Sequence, residues 1–275
     1  MKKILIPIDF SENSQNAIQS AKAIALKTGA ELAILHTYQP NIVNIAMPVT
    51  ESTEPLYNDL ENSYKQQLEE YVAGAQAEGF KVEGIWESTR VHSAILHRAL
   101  QINADLIVTG RTGQGSFIDK LIGSSATGIA LQARCPVLVV PPQVSELEFN
   151  HLVYATQLEY EEMDILHQVK NLAEQLGARL SFIKISSLEQ PNIQPDQQYV
   201  QQIVKELGIR TSDIIIQKTA GVIEGIKNYC DQIKADMLIV ATRKRGFLEQ
   251  FIINPSMTKE LVMDTHVPLL IYHIK

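Results

Sequence analysis

Apolar residues recur along the chain in two alternating rhythms. Short runs that are apolar throughout occur at 3–9, 31–37, 81–86, 105–109 and 136–140. Continuous apolar runs of that length suit strands of a parallel sheet covered on both faces. Between them lie stretches of helical period. In 12–28, Ala17, Ile18, Ala21, Ile24 and Ala25 share one face, and Ser11 stands where an N-cap belongs. Further helices are predicted near 56–78, 91–102 and 124–133. The second part of the chain reads alike, with strands near 151–156, 179–185, 211–217, 236–240 and 267–273 and a helix at 161–176 carrying Leu166, Val169, Ala173 and Leu176. Strand and helix in alternation predict a doubly wound α/β fold with right-handed crossovers.

The two parts are copies of one unit. Val91-His92-Ser93-Ala94-Ile95-Leu96 matches Val222-Ile223-Glu224-Gly225-Ile226-Lys227, and Ala104-Asp105-Leu106-Ile107-Val108 matches Ala235-Asp236-Met237-Leu238-Ile239, both 131 positions on. The final strands match at 132, Pro136 with Pro268, and the first strands at 148, Ile4-Leu5-Ile6 with Leu152-Val153-Tyr154. So long a period marks a duplicated domain rather than a solenoid. Pro141-Pro142 and the polar residues after them suit a connection. The expected domains are 1–142 and 149–275.

Composition narrows the function classes. The chain has 275 residues, 45% hydrophobic, and a formal net charge of −7. An acidic chain with no basic stripe argues against nucleic acid as a partner. No apolar run reaches the roughly 18–20 residues of a membrane span, and the short run before Asp9 does not read as a signal peptide. Cys135 and Cys230 are the two cysteines; their apolar surroundings fit buried small hydrophobes in a reduced, cytoplasmic protein. The seven histidines show no metal-ligand spacing; His92 and His97 are five apart, where a helical metal pair needs four.

The densest chemistry follows the strand at 105–109: Gly110-Arg111-Thr112-Gly113, then Gly123-Ser124-Ser125. Glycine lets backbone N–H groups approach a ligand, and a helix start favours an anion. The spacing is G-x2-G-x9-G-S, neither the P-loop nor the dinucleotide fingerprint. It resembles the ATP-binding motif of the universal stress protein family. Lys3-Ile4-Leu5-Ile6-Pro7-Ile8-Asp9-Phe10-Ser11 resembles that family's first strand, and Cys135-Pro136-Val137-Leu138-Val139-Val140 its last. The resemblance covers nearly the whole chain and implies two mainly parallel five-stranded sheets of adenine nucleotide α-hydrolase-like, Rossmann-like type in tandem. It implies that the final strands of the copies pair, giving an intramolecular pseudo-dimer able to associate further.

The resemblance also implies a site. Pro7 and Asp9 would lie beside the nucleoside, with the Asp9 carboxylate on the ribose hydroxyls. Thr37 would meet adenine through its backbone. Gly110, Gly113 and Gly123 would line the phosphate loop. Ser124 and Ser125 would donate to phosphate oxygens, with Arg111 and Lys120 as nearby cations. Mg2+ would be held through the phosphates, with no protein cage. The stretch 38–55 is long for a connection and suits a lid or an unstructured segment. At the same offsets the second copy has Ala241, Lys244, Asn254, Pro255 and Gln157 in place of Gly110, Gly113, Gly123, Ser124 and Asp9, so no ATP site is expected there.

The function implied is an ATP-binding stress-response protein, with ATP as a regulatory ligand that controls conformation or the binding of an unidentified protein partner. No base for a hydrolytic water stands in the motif; slow hydrolysis or autophosphorylation on Ser124, Ser125 or Thr127 is secondary. An adaptor that needs no ATP is the alternative. Adenylate-forming enzymes and ATP pyrophosphatases carry H-x-G-H or S-G-G-x-D-S after strand one, and Pro7-Ile8-Asp9-Phe10-Ser11 is neither.

Overall fold

In the computed structural model, residues 1–39, 54–111, 119–158, 162–187, 197–243, 260–262 and 265–274 are described, with the backbone alone at 54, 119–125, 187 and 243. The first half runs β1 (Lys3–Ile8), α1 (Glu12–Thr28), β2 (Glu31–Thr37), α2 (Glu54–Ala77), β3 (Val82–Glu87), α3 (Val91–Gln101), β4 (Leu106–Gly110), α4 (Asp119–Gln132) and β5 (Val137–Val140). The second runs β6 (His151–Ala155), α5 (Met163–Leu176), β7 (Arg179–Ser187), α6 (Gln197–Leu207), β8 (Ile214–Thr219), α7 (Val222–Ile233), β9 (Met237–Arg243) and β10 (Leu269–Ile274).

The strands form one sheet in the order β3-β2-β1-β4-β5-β10-β9-β6-β7-β8. All neighbours are parallel except β5 and β10, which pair antiparallel through Leu269↔Val139, Leu270↔Leu138 and Ile271↔Val137. The expected joining of the final strands is therefore present, and it fuses two five-stranded sheets into one. α1, α2, α5 and α6 cover one face, where Ile4, Ile6, Ile34, Leu166 and Phe182 are buried. α3, α4 and α7 cover the other, over Leu5, Leu35, Ile107, Val153 and Ile183. Alternate residues of each strand feed opposite cores, which is why the strands read as apolar along their whole length.

Local chemistry sets the ends. Ser11 caps α1, its hydroxyl accepting from Ser14 N at 3.3 Å. Gly29 closes that helix at φ 72° and Gly177 closes α5 at the same value, the left-handed cap that glycine takes without strain. Two expected boundaries move. β8 begins at Ile214 rather than 211, because Thr211–Asp213 forms a 3₁₀ turn in which the Asp213 carboxylate accepts from Arg210 N at 3.0 Å. α4 begins at Asp119 rather than 124. An acidic residue in the first turn is favoured by the helix dipole, and no proline stops a helix from starting there.

Candidate nucleotide site

In the order β3-β2-β1-β4-β5 the direction of winding reverses between β1 and β4, and ligands of doubly wound sheets bind at the carboxyl ends beside such a reversal. There the backbone has a definite polarity. Lys2 O accepts from Glu31 N on the β2 side, while Lys3 O accepts from Asp105 N on the β4 side. Odd residues of β1 therefore face β4. Pro7 is odd and has no N–H to give. The β1–β4 pairing runs through Ile4↔Leu106 and Leu5↔Ile107 and ends there, whereas β1 stays with β2 through Ile8↔His36. Proline thus parts β1 from β4 at their carboxyl ends.

Three expected site residues gather at this opening. Pro7 lines its β1 side. Asp9 follows β1 and is exposed. Its Oδ1 accepts from Ser11 N at 3.1 Å and from the Ser11 hydroxyl, so the carboxylate also orders the turn into α1. Thr37 ends β2, half-buried. Glu31 N bonds to Lys2 O on the β1 side and Leu32 N toward β3; by alternation the N–H and C=O of Thr37 point to the β1 side, where the N–H continues the ladder onto the Ile8 carbonyl and the C=O lies beyond the last register pair, Ile8↔His36.

Gly110 has a reason that sequence alone did not reveal. A Cβ there would lie 2.3 Å from the carbonyl oxygen of Asn13. Glycine is needed for the first turn of α1 to rest against the end of β4.

Arg111 is placed otherwise than expected. Its N bonds to Val140 O, its side chain is 7% exposed, and Nη1 donates 2.9 Å to the carbonyl of Val262 in the second half. The guanidinium is anchored across the junction of the halves. Gly113 lies outside the described residues. Gly123, Ser124 and Ser125 lie within α4, past the first turn, and so not at the helix start that the motif suggested. Thr127, an expected phosphorylation position, is buried. Lys120 belongs to the stretch described by backbone alone, and most of the expected lid, residues 40–53, lies outside the described residues.

An aromatic wall beside the opening escaped the sequence reading. Phe10 lies with ring centroids 4.4 Å from His36 and 5.7 Å from Tyr64, stacked on the latter. Trp86 is 5.3 Å from His36 and 5.9 Å from Tyr38. The rings come from the turn after β1, from β2 and the residue after it, from β3 and from α2, so no local spacing signals them. His36 sits 3.0 Å from the Ile8 carbonyl through Nδ1. A carbonyl only accepts, so Nδ1 carries the proton. Burial holds the imidazole pKa below its ordinary value, against the opposing pull of that hydrogen bond and of Asp9.

The second half closes the equivalent place. Its β6–β9 pairing runs through four positions, from Leu152↔Met237 to Ala155↔Val240; Ala155 stands where Pro7 stands, 148 residues on. The next residues fold onto themselves. Leu158 takes φ 57°, as its counterpart Phe10 takes φ 64°, and its side chain is buried. Glu162, 1% exposed, accepts from the Thr156 hydroxyl and from Gln157 N at 3.2 Å. Lys184, at the position of His36, donates to the Gln157 carbonyl. Ala241 carries a methyl where Gly110 has none, and the helix after β6 starts only at Met163, three residues later than the 148-residue offset from Glu12 would place it.

The sequence profile of the universal stress protein family matches residues 1–141. The chain belongs to the universal stress protein family. A universal stress protein of Thermus aquaticus is 34% identical over 140 residues, covering 50% of this chain and 98% of that protein. One of Methanocaldococcus jannaschii is 28% identical over 152 residues, covering 50% of this chain and 94% of that protein. The crystal structure of a universal stress protein from Archaeoglobus fulgidus matches 99% of this chain and 96% of its own, with a TM-score of 0.75 and 19% identity. That match extends the likeness of fold over both halves. Among the described residues no cluster of three or more His, Cys, Asp or Glu side chains could hold a metal ion, and no helix is long and apolar enough to cross a membrane.

Proposed function

We propose that the first half binds an adenine nucleotide, ATP with Mg2+, as a regulatory ligand in a stress response in the cytoplasm, and that the second half binds none. The observation that carries this reading is the parting of β1 from β4 at Pro7. It opens a crevice at the switch point, toward which the Thr37 backbone is aimed and beside which the Asp9 carboxylate is exposed. The Thr37 carbonyl, beyond the last pair of the β1–β2 ladder, offers an acceptor to a base edge, and Asp9 suits ribose hydroxyls. The phosphate part of the reading rests on G-x2-G-x9-G-S itself, since Gly113 and the Ser124 and Ser125 side chains are not described. Mg2+ would sit on the phosphates.

The test is calorimetric titration of ATP with Mg2+ into the full chain and into Gly113→Lys. One nucleotide per chain, lost in the variant, supports the reading; no binding by the folded wild type sinks it. Two per chain would sink the exclusion of the second half. An adaptor that needs no nucleotide is the second reading. It is favoured by the commitment of Asp9 to Ser11 and of Arg111 to Val262, two expected ligating groups with structural work of their own.

A further inference from the structure

The two halves are related by the antiparallel β5–β10 join, so every groove along that join has a counterpart. One such groove lies between α1 and the starts of β9 and β10, and residues 141–150 cover it. Asn16 Nδ2 donates 3.3 Å to the Pro142 carbonyl, Gln143 Nε2 lies 3.3 Å from His266 Nδ1, and Leu147 enters the core at 5% exposure. The counterpart, between α5 and the starts of β4 and β5, is open. It is a cavity of about 340 Å³ whose lining includes Ile165, Gln168, Leu172, Arg134, Cys135 and Tyr272. Helix exposure shows the same asymmetry. Asn16 and Ser20 of α1 are buried, while Asp164 and Gln168, 148 positions on in α5, are exposed.

We propose that this open groove docks an irregular, acidic segment of a partner protein anchored by a leucine. The chain's own occupant of the covered groove defines the chemistry. Residues 141–150 open with a turn, Val144 N bonding to Pro141 O at 3.1 Å, and continue without regular structure across the strand ends; they bury Leu147, pack Val144 and Phe149 against the core, carry Glu146 and Glu148 and contain no Lys or Arg. The open groove matches that charge. Arg134, exposed on its wall, occupies the position of His266, and the acid beside it, Asp105, accepts from the backbone N–H groups of Lys2 and Lys3. Ile165 and Leu172 supply the apolar floor. A second copy of the chain cannot lend residues 141–150, because they are already packed against its own α1.

The probe is a fluorescein-labelled peptide with the sequence of residues 141–150, titrated with the full-length protein and followed by anisotropy. Saturable binding at one peptide per chain is expected. Leu147→Asp in the peptide weakens it about 10-fold or more, the effect of losing one buried leucine. Gln168→Trp in the protein, which places an indole in the groove from an exposed position, abolishes it without changing the melting temperature. Arg134→Glu, also exposed, gives a second variant with the same expected loss. No saturable binding to the folded wild type overturns the proposal. So does binding that both protein variants leave intact, which would place the peptide in the groove of residues 141–150 instead. A wild-type dimer in sedimentation that Gln168→Trp dissociates would make the face a self-contact and also overturn it. The outcome is independent of nucleotide binding.

Discussion

At the end of β1 the chain leaves β4 after two register pairs; at the end of β6 it stays with β9 for four. The two places descend from one pattern, and each keeps a non-glycine residue at positive φ just after the strand, Phe10 and Leu158. What differs is a handful of side chains. Pro7 withholds an N–H that Ala155 supplies. Gly110 lets α1 start against the strand, while Ala241 goes with a later helix. His36 and exposed Asp9 border an opening, while Lys184, Glu162 and Leu158 fill the equivalent space. The backbone plan is therefore indifferent to whether the switch point is open, and a few hydrogen-bonding groups decide it.

The comparison can be broken by exchanging these residues. The largest effect is expected from Ala155→Pro, which takes a ladder donor from a central strand and leaves a buried carbonyl without its partner. Stability should fall by up to about 3 kcal/mol in urea denaturation, while Pro7→Ala leaves it unchanged or raised. Pro7→Ala should instead weaken ATP about 5- to 10-fold, the worth of one hydrogen bond that closes the crevice; an unchanged affinity would show that the parting of the strands is irrelevant to binding.

Gly110→Ala comes next. Its methyl would meet the Asn13 backbone at 2.3 Å, so the first turn of α1 must shift, at about 1–3 kcal/mol. Ala241→Gly should cost only about 1 kcal/mol, from backbone entropy and one lost methyl. Equal costs would mean that helix placement does not depend on this residue.

At the junction, Arg111→Met should cost about 1–2 kcal/mol by leaving the Val262 carbonyl short of a donor. Thr242, at the same position of the second half, is buried with no hydrogen-bond partner for its hydroxyl among the described residues. Thr242→Val should therefore be neutral or stabilising by up to about 1 kcal/mol.

The smallest effect is on pH. His36 is held neutral by burial, below the ordinary value of 6.5, so the unfolded chain binds the proton more readily than the folded one. Its contribution is complete above about 6.5 and is lost as the pH falls from there toward the folded value. Denaturation measured between pH 7 and 5 should show this loss reduced in His36→Gln; an identical slope would mean the imidazole does not titrate in that window.

Strands and repeat were legible in the sequence because they rest on period and on matched offsets, which need no knowledge of side-chain placement; the β5–β10 join was expected only from the family resemblance. The site was legible only in part. Pro7, Asp9 and Thr37 fall at strand ends, and strand ends are what periodicity locates best. The need for glycine at 110 has a cause that spacing does not carry, since the close approach of Asn13 is a long-range fact. Arg111 read as a phosphate cation because its true acceptor is 151 residues away. The start of α4 was misplaced by the glycine spacing, which says where backbone can approach a ligand and not where a helix begins. The aromatic wall depends on four elements meeting and has no one-dimensional trace.

The β5–β10 join has a last consequence. In a two-fold assembly of identical chains every substitution is written twice, so neither site can change alone. Here the equivalent pair is spliced into one polypeptide and persists at any dilution. One protomer-equivalent is thereby free to become scaffold while the other keeps its opening, and the ratio of the two is always one to one.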